Sequence, residues 1–223
     1  MLNLLTVPSS FLDENCYVAW DSDANEALVV DPGSGTAGPV AALLEERGLT
    51  VGAVLLTHGH GDHVWDAAAL AGPDKPVYIT GPDAFFLDDP AGFLGMDPAT
   101  YGLPPWEKPR DLRIINGFQF QPVPGVDLRL IPAPGHSPGS AVFLVGAAGL
   151  ADPLAFSGDV IFRGSVGRTD LLGGSEPEMR QSLRTLSNVM DPATTLLPGH
   201  GPQTTWAHEL ETNAYVRRAA RIG

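Results

Sequence analysis

Three imidazoles and a carboxylate crowded into one short loop constrain this chain more than any other feature: His58, His60, Asp62 and His63, in the run Thr57-His58-Gly59-His60-Gly61-Asp62-His63. The loop directly follows Val51 to Leu56, an apolar segment of the length of a buried strand. A hydrophobic core would have to satisfy four polar groups in one place. A plain surface loop rarely holds three of a chain's six histidines. Histidine and aspartate suit zinc, iron or manganese. Gly59 and Gly61 let the backbone turn, so that alternate side chains can converge on one point.

The pattern recurs. His136 lies in Ala133-Pro134-Gly135-His136-Ser137-Pro138-Gly139, Asp159 ends the run Leu154-Ala155-Phe156-Ser157-Gly158-Asp159, and His200 lies in Leu196-Leu197-Pro198-Gly199-His200-Gly201-Pro202. Each follows, or nearly follows, a strand-like run. Any one of these histidines alone reads as a hydrogen-bonded core or surface residue. Five of six at strand ends in turn-rich loops point instead to a metal site.

These residues carry a resemblance to the metallo-β-lactamase superfamily, and within it to the glyoxalase II-like hydrolases. His58, His60, Asp62 and His63 match the motif His-x-His-x-Asp-His, and His136, Asp159 and His200 match the later family ligands in order. Two stretches resemble the glyoxalase-like branch: Ser157 to Asp170, and Leu197-Pro198-Gly199-His200-Gly201-Pro202. The family-like pattern runs from about Asn15 to the segment Glu211-Thr212-Asn213-Ala214-Tyr215. The resemblance implies a four-layer αββα sandwich with the metal site at the open edge between the sheets. It also implies that His58, His60 and His136 hold one metal, that Asp62, His63 and His200 hold a second, and that Asp159 bridges both. Asp62 and Asp159 then serve catalysis as well as binding. Two divalent ions, zinc first with iron or manganese as alternatives, would share a water that loses its proton near neutral pH and becomes the nucleophile. No Gly-x-Ser-x-Gly elbow competes with that scheme.

The resemblance leads to thioester hydrolysis, with an S-acylated, 2-hydroxyacyl small thiol as the substrate type. The sequence ends at Gly223, soon after its last expected helix, so the resemblance is to the short glyoxalase II-like type and leaves the thiol carrier open. A persulfide dioxygenase-like enzyme with one iron on His58, His136 and Asp159 is the main alternative, and lactone or β-lactam hydrolysis is third. A binding or structural module on the same fold is disfavoured because all seven ligand positions are filled. Arg168 and Arg163 follow Asp159 and can grip a substrate carboxylate; for Arg168 an ion pair with Asp170 is the plain alternative. Asp31 either steadies a metal histidine or caps its own Pro-Gly turn.

Composition limits the partners. Thirteen basic against 26 acidic residues, net −13, argues against nucleic acid and against an anionic membrane surface. Cys16 is the sole cysteine, so no intramolecular disulfide forms. No apolar stretch reaches the length of a membrane span, and Met1-Leu2-Asn3-Leu4 lacks the charge of a signal peptide. The expectation is a cytoplasmic protein with one domain over residues 1–223 and no specified oligomeric state.

Periodicity predicts strands at 3–7, 16–20, 27–30, 51–57, 77–80, 112–115, 118–120, 127–131, 141–145, 154–156 and 194–197. It predicts helices at 40–47, 62–71, 176–190 with Ser175 as N-cap and Glu178 in a capping box, and 204–220. Asp83 to Arg110, rich in proline and aromatics, reads as short helices and loop that either wall a substrate pocket or cover the core. Cys16 and the indoles Trp65 and Trp206 are expected in the core, His208 on the surface. Arg217, Arg218 and Arg221 suit a helix C-terminus.

Overall fold

Cys16 to Trp20 is apolar without a break, and a strand carries such a run only where both its faces are covered. The computed structural model describes residues 1–220, so Arg221 lies outside the described residues. The first sheet runs β1 (Leu2–Pro8), β2 (Asn15–Asp21), β3 (Glu26–Val30), β4 (Thr50–Leu55), β5 (Val77–Ile79), β6 (Leu112–Ile114), in that spatial order. β1 to β3 pair antiparallel and β3 to β6 parallel. The second half adds β7 (Gln119–Val123), β8 (Val126–Pro132), β9 (Ala141–Gly146), β10 (Leu154–Gly158), a small hairpin of β11 (Ile161–Phe162) and β12 (Ser165–Val166), then β13 (Thr195–Pro198) and β14 (Thr204–Thr205). The second sheet is ordered β14-β13-β10-β9-β8-β7.

Alternation along the strands sorts side chains into separate apolar layers. From β2, Cys16, Val18 and Trp20 point one way, while Tyr17 and Ala19 point the other. The first set meets Val40 and Leu44 of α1 (Ala37–Arg47) and Ala67 and Ala71 of α3 (Ala67–Ala71), which follows the short α2 (Gly61–Val64). The second set meets Phe143, Val145, Phe156 and Leu197 of the opposite sheet. A third layer packs Val142, Ala155 and Leu196 against Met179, Leu183 and Leu186 of α4 (Glu176–Val189), Trp206 of α5 (Trp206–Thr212) and Val216 of α6 (Ala214–Ala220). Helix, sheet, sheet, helix is the expected αββα sandwich. Among the described residues no helix is long and apolar enough to cross a membrane.

Two predicted helices are interrupted. The helix expected at 62–71 splits after Val64, because Asp66 leaves helical geometry and its Oδ2 accepts from Ala37 N at 2.8 Å, tying it to the start of α1. The helix expected at 204–220 opens as the short strand β14 and breaks at Asn213. The Asn213 amide donates to Ser165 O (2.9 Å) and Glu209 Oε2 (2.8 Å), and its Oδ1 accepts from Tyr215 N (3.0 Å). Ser175 caps α4 by accepting from Glu178 N, as expected, but the reciprocal half of the capping box does not form, because Ser175 N donates to Gly135 O at 2.8 Å instead of to the Glu178 side chain. The 83–110 segment contains short 3-10 turns at Gly81–Asp88, Gly92–Leu94 and Pro98–Tyr101. Phe86 and Leu87 are buried there, so this segment covers the core.

Candidate metal centre

Parallel pairing aligns strand ends. β3 and β4 run parallel, as do β10 and β13. Their C-terminal ends release Asp31, the His58 loop, Asp159 and His200 at one edge of the sandwich, and β8 adds His136 from the same sheet as β10. A Cβ at Gly199 would run into His63 and the Asp159 carboxylate, so only glycine lets the His200 loop close over them.

All seven expected ligands converge. His136 Nε2 lies 2.8 Å from His60 Nδ1 and 3.2 Å from His58 Nε2. His200 Nε2 lies 3.2 Å from Asp62 Oδ2, and His63 Nε2 lies 3.8 Å from the same oxygen. The Asp159 carboxylate faces both groups: Oδ1 stands 3.3 Å from His63 Nε2, and Oδ2 stands 3.6 Å from both His136 Nε2 and His200 Nε2. The donor atoms of His58, His60 and His136 lie within 4.8 Å of one another, as do those of Asp62, His63 and His200.

Groups behind the rings set the tautomers. His136 Nδ1 donates to Arg168 O at 2.8 Å and His200 Nδ1 to Leu12 O at 3.1 Å. His63 Nδ1 faces Asp31 Oδ2 at 3.1 Å. Thr57 Oγ1 donates to Asp31 Oδ2 at 2.6 Å, which leaves it to accept from His58 Nδ1 at 3.2 Å. In the neutral rings the Nε2 lone pairs of these four residues therefore all point into the centre. Lone pairs opposed at such distances repel unless a cation or protons lie between them. The buried His63 Nε2 and Asp159 Oδ1 also have no hydrogen-bond partner among the described residues. Neutral imidazoles with fixed tautomers, plus two carboxylates, are a donor set that fits divalent metal.

The electrostatics divide the site. Burial, reinforced by the neighbouring imidazoles, holds His58 well below the ordinary histidine range, and burial with the nearby His136 takes His60 down to about 3. Burial also pulls His63 down, but Asp159 and Asp62 outweigh it and leave the ring well above its ordinary value. His200 follows the same balance, raised by its hydrogen bond to Asp62 and by Asp159. Burial raises the Asp62 and Asp159 carboxyls, and the facing histidines overcome it, so both end below the usual carboxylate range.

The other expected residues fall as follows. Asp31 is buried and does more than cap its turn: it accepts from Thr57 N (2.7 Å) and Thr57 Oγ1 and orients His63. The Arg168 guanidinium is exposed and forks onto Asp170 (2.7 and 2.8 Å), while its carbonyl holds His136. Arg163 is exposed beside the β11–β12 turn. Trp65 is buried with its indole donating to Pro104 O, Trp206 is fully buried, and Cys16 is fully buried with its thiol pushed up by burial. Two residues carried no sequence signal. Asp83 is fully buried between the loops of His60 and His136. Glu14 is fully buried 4.0 Å from His63 Nδ1, and burial pushes its carboxyl well above the usual range. Neither belongs to a histidine-bearing motif, and the partners of each are distant in sequence.

The sequence profile of the family described as "Metallo-beta-lactamase superfamily" matches residues 10–200. The chain belongs to that superfamily. Its similarity to the hydroxyacylglutathione hydrolase GloC of Haemophilus influenzae is 30% identity, over 96% of this chain and 98% of that protein. Among solved structures, the B3 metallo-beta-lactamase BLEG-1 superposes with a TM-score of 0.82 at 30% identity, covering 96% of this chain and 99% of that one. TTHA1623, crystallised in a di-iron-bound form, superposes with a TM-score of 0.78 at 33% identity, covering 95% and 99%. Membership in this superfamily, together with the His and Asp cluster, makes the chain a metal-dependent hydrolase.

Proposed function

We propose that the chain hydrolyses a thioester, an S-acylated small thiol of the 2-hydroxyacyl type, at a centre for two divalent cations. The observation that carries this reading is the Asp159 carboxylate, whose two oxygens face the two histidine groups at 3.3 and 3.6 Å. On this reading His58, His60 and His136 hold one cation, Asp62, His63 and His200 hold the other, and Asp159 is shared. The likeness to a hydroxyacylglutathione hydrolase supports the thioester as substrate. Two bound cations would supply carbonyl polarisation and the acidification of a shared water.

The chain's own residues do the rest. Asp31, Arg168 O and Leu12 O lock the imidazoles in the tautomer that offers a lone pair. His200 is the open side of the centre, with its side chain 27% exposed while those of His63 and Asp159 are 0% and 9% exposed. Beside it stand the exposed Leu12 and the ring of Phe162, 6.0 Å from the His200 ring, an apolar rim suited to an acyl chain. A thiolate leaves with little need of a proton donor. Cys16 is no nucleophile, being buried and held in its thiol form. A panel of small-thiol thioesters, followed by free thiol release, tests the reading. Asp159→Ala should lower turnover by at least about 100-fold and disturb metal uptake, since outer partners of metal ligands alone cost about 10- to 100-fold; near-normal turnover in that variant would sink the assignment.

The convergence of His58 Nε2, His136 Nε2 and Asp159 Oδ2 also supports a second reading, a single iron on those three residues acting on a persulfide. Oxygen consumption on a persulfide, with no thioester turnover, would establish it. The likeness to a B3 metallo-beta-lactamase adds lactones and β-lactams to the panel.

A further inference from the structure

Four of the five clustered imidazoles have a hydrogen-bonding group behind them, and His60 does not. Its Nδ1 faces the centre, while its Nε2 is buried and without a hydrogen-bond partner among the described residues. A ligand ring lacking such a partner must be aimed by packing and by its backbone. The packing comes from Phe86, whose ring meets the His60 ring edge-on at a centroid distance of 5.0 Å. The backbone is held one residue earlier, where Gly59 N donates to Asp83 Oδ2 at 2.9 Å. The same oxygen accepts from Ser137 Oγ at 2.6 Å, and Asp83 Oδ1 accepts from Gly139 N at 2.5 Å. One fully buried carboxylate thus ties the loop of His58 and His60 to the loop of His136. Both loops close tightly on the segment: a Cβ at Gly59 would come within 2.7 Å of Phe86 Cβ, and one at Gly139 within 2.7 Å of Asp83 Cβ.

We propose that Asp83 is a positioning residue for the His58/His60/His136 group, fixing with Phe86 the approach of His60 Nδ1 to His136 Nε2. The proposal rests on the reading that this group holds a cation. It gives the start of the 83–110 segment a task besides covering the core, and it confines the effect of Asp83 to one half of the centre. Asp83 meets neither Asp62 nor His200 through any hydrogen bond.

The test is metal binding by Asp83→Asn, which keeps the side-chain volume but loses one of the two acceptors. Wild type is titrated first with zinc against a chromophoric chelator, and then with cobalt, whose visible absorption reports coordination geometry. In the variant, one equivalent should bind as in wild type and the other about 10- to 100-fold more weakly. The cobalt spectrum of the weakened equivalent should change, and kcat should fall with KM little altered. Ser137→Ala removes a single donor to Asp83 and should show a smaller loss of the same sign, which decides the matter if Asp83→Asn fails to fold. Two equivalents bound with wild-type affinity and spectrum in the folded variants overturn the role of Asp83 and leave the metal centre standing. A wild type that takes up neither zinc nor cobalt overturns the metal reading itself, and this proposal with it.

Discussion

Asp31 has a backbone φ of 49°, a conformation that a residue with a Cβ keeps only where its surroundings hold it. Here the holders are Thr57 and His63, which converge on its carboxylate. Asp31→Ala should therefore weaken metal binding by about 10- to 100-fold, read by chelator competition; unchanged affinity would reduce Asp31 to a turn residue. Proton competition gives a second prediction. His63 and His200 keep protons above the ordinary histidine value, whereas His58 and His60 fall below it, His60 to about 3. Protons and metal compete for the same nitrogens. Because His63 and His200 are raised, protons claim the Asp62/His63/His200 group first, beginning at pH above about 6.5, the ordinary histidine value. Metal content measured against pH should fall in two steps, with the second equivalent persisting into far more acidic solution; a single step losing both together contradicts this division. The seven expected ligands were legible because Gly or Pro flanks most of them and each follows a strand-like run. Asp83 was not, since nothing near it in sequence hints that Gly59 and Gly139 will donate to it.

Elements were legible where hydrophobic periodicity sets them and obscure where one polar side chain does. β2, β4 and β9 are apolar because both faces of their sheets are covered, and that pattern survives into the fold with ends shifted by a residue or two. Asn213 breaks the last predicted helix by a means periodicity does not see: its side chain caps α6 and grips Ser165 O across the hairpin. Asn213 is fully buried, so Asn213→Ala should leave buried donors and acceptors unmatched and cost about 1–3 kcal/mol. Chemical denaturation would register that loss as a lower midpoint at unchanged slope. A variant as stable as the parent would mean that the break belongs to the backbone rather than to this side chain. The β11–β12 hairpin escaped detection because two strands of two residues each carry no period.

At the scale of the molecule, two sheets bury a shared core and each takes a helical layer on its outer face, which leaves the sheet edge with the strand ends to carry chemistry. The architecture was legible in outline from two halves that each run strands and then helices. The crossing of partners was not: Tyr17 Oη donates to Pro198 O, and Asn15 N to Gly199 O, so the first sheet steadies the His200 loop of the second. On the proposed reading this edge holds two cations around Asp159. That reading is tested most directly by elemental analysis of protein expressed with zinc and iron both available. About two metals per chain, with zinc prominent, are expected, falling to one or fewer in Asp159→Ala. A single iron per chain, unchanged in stoichiometry when zinc is in excess, would contradict it.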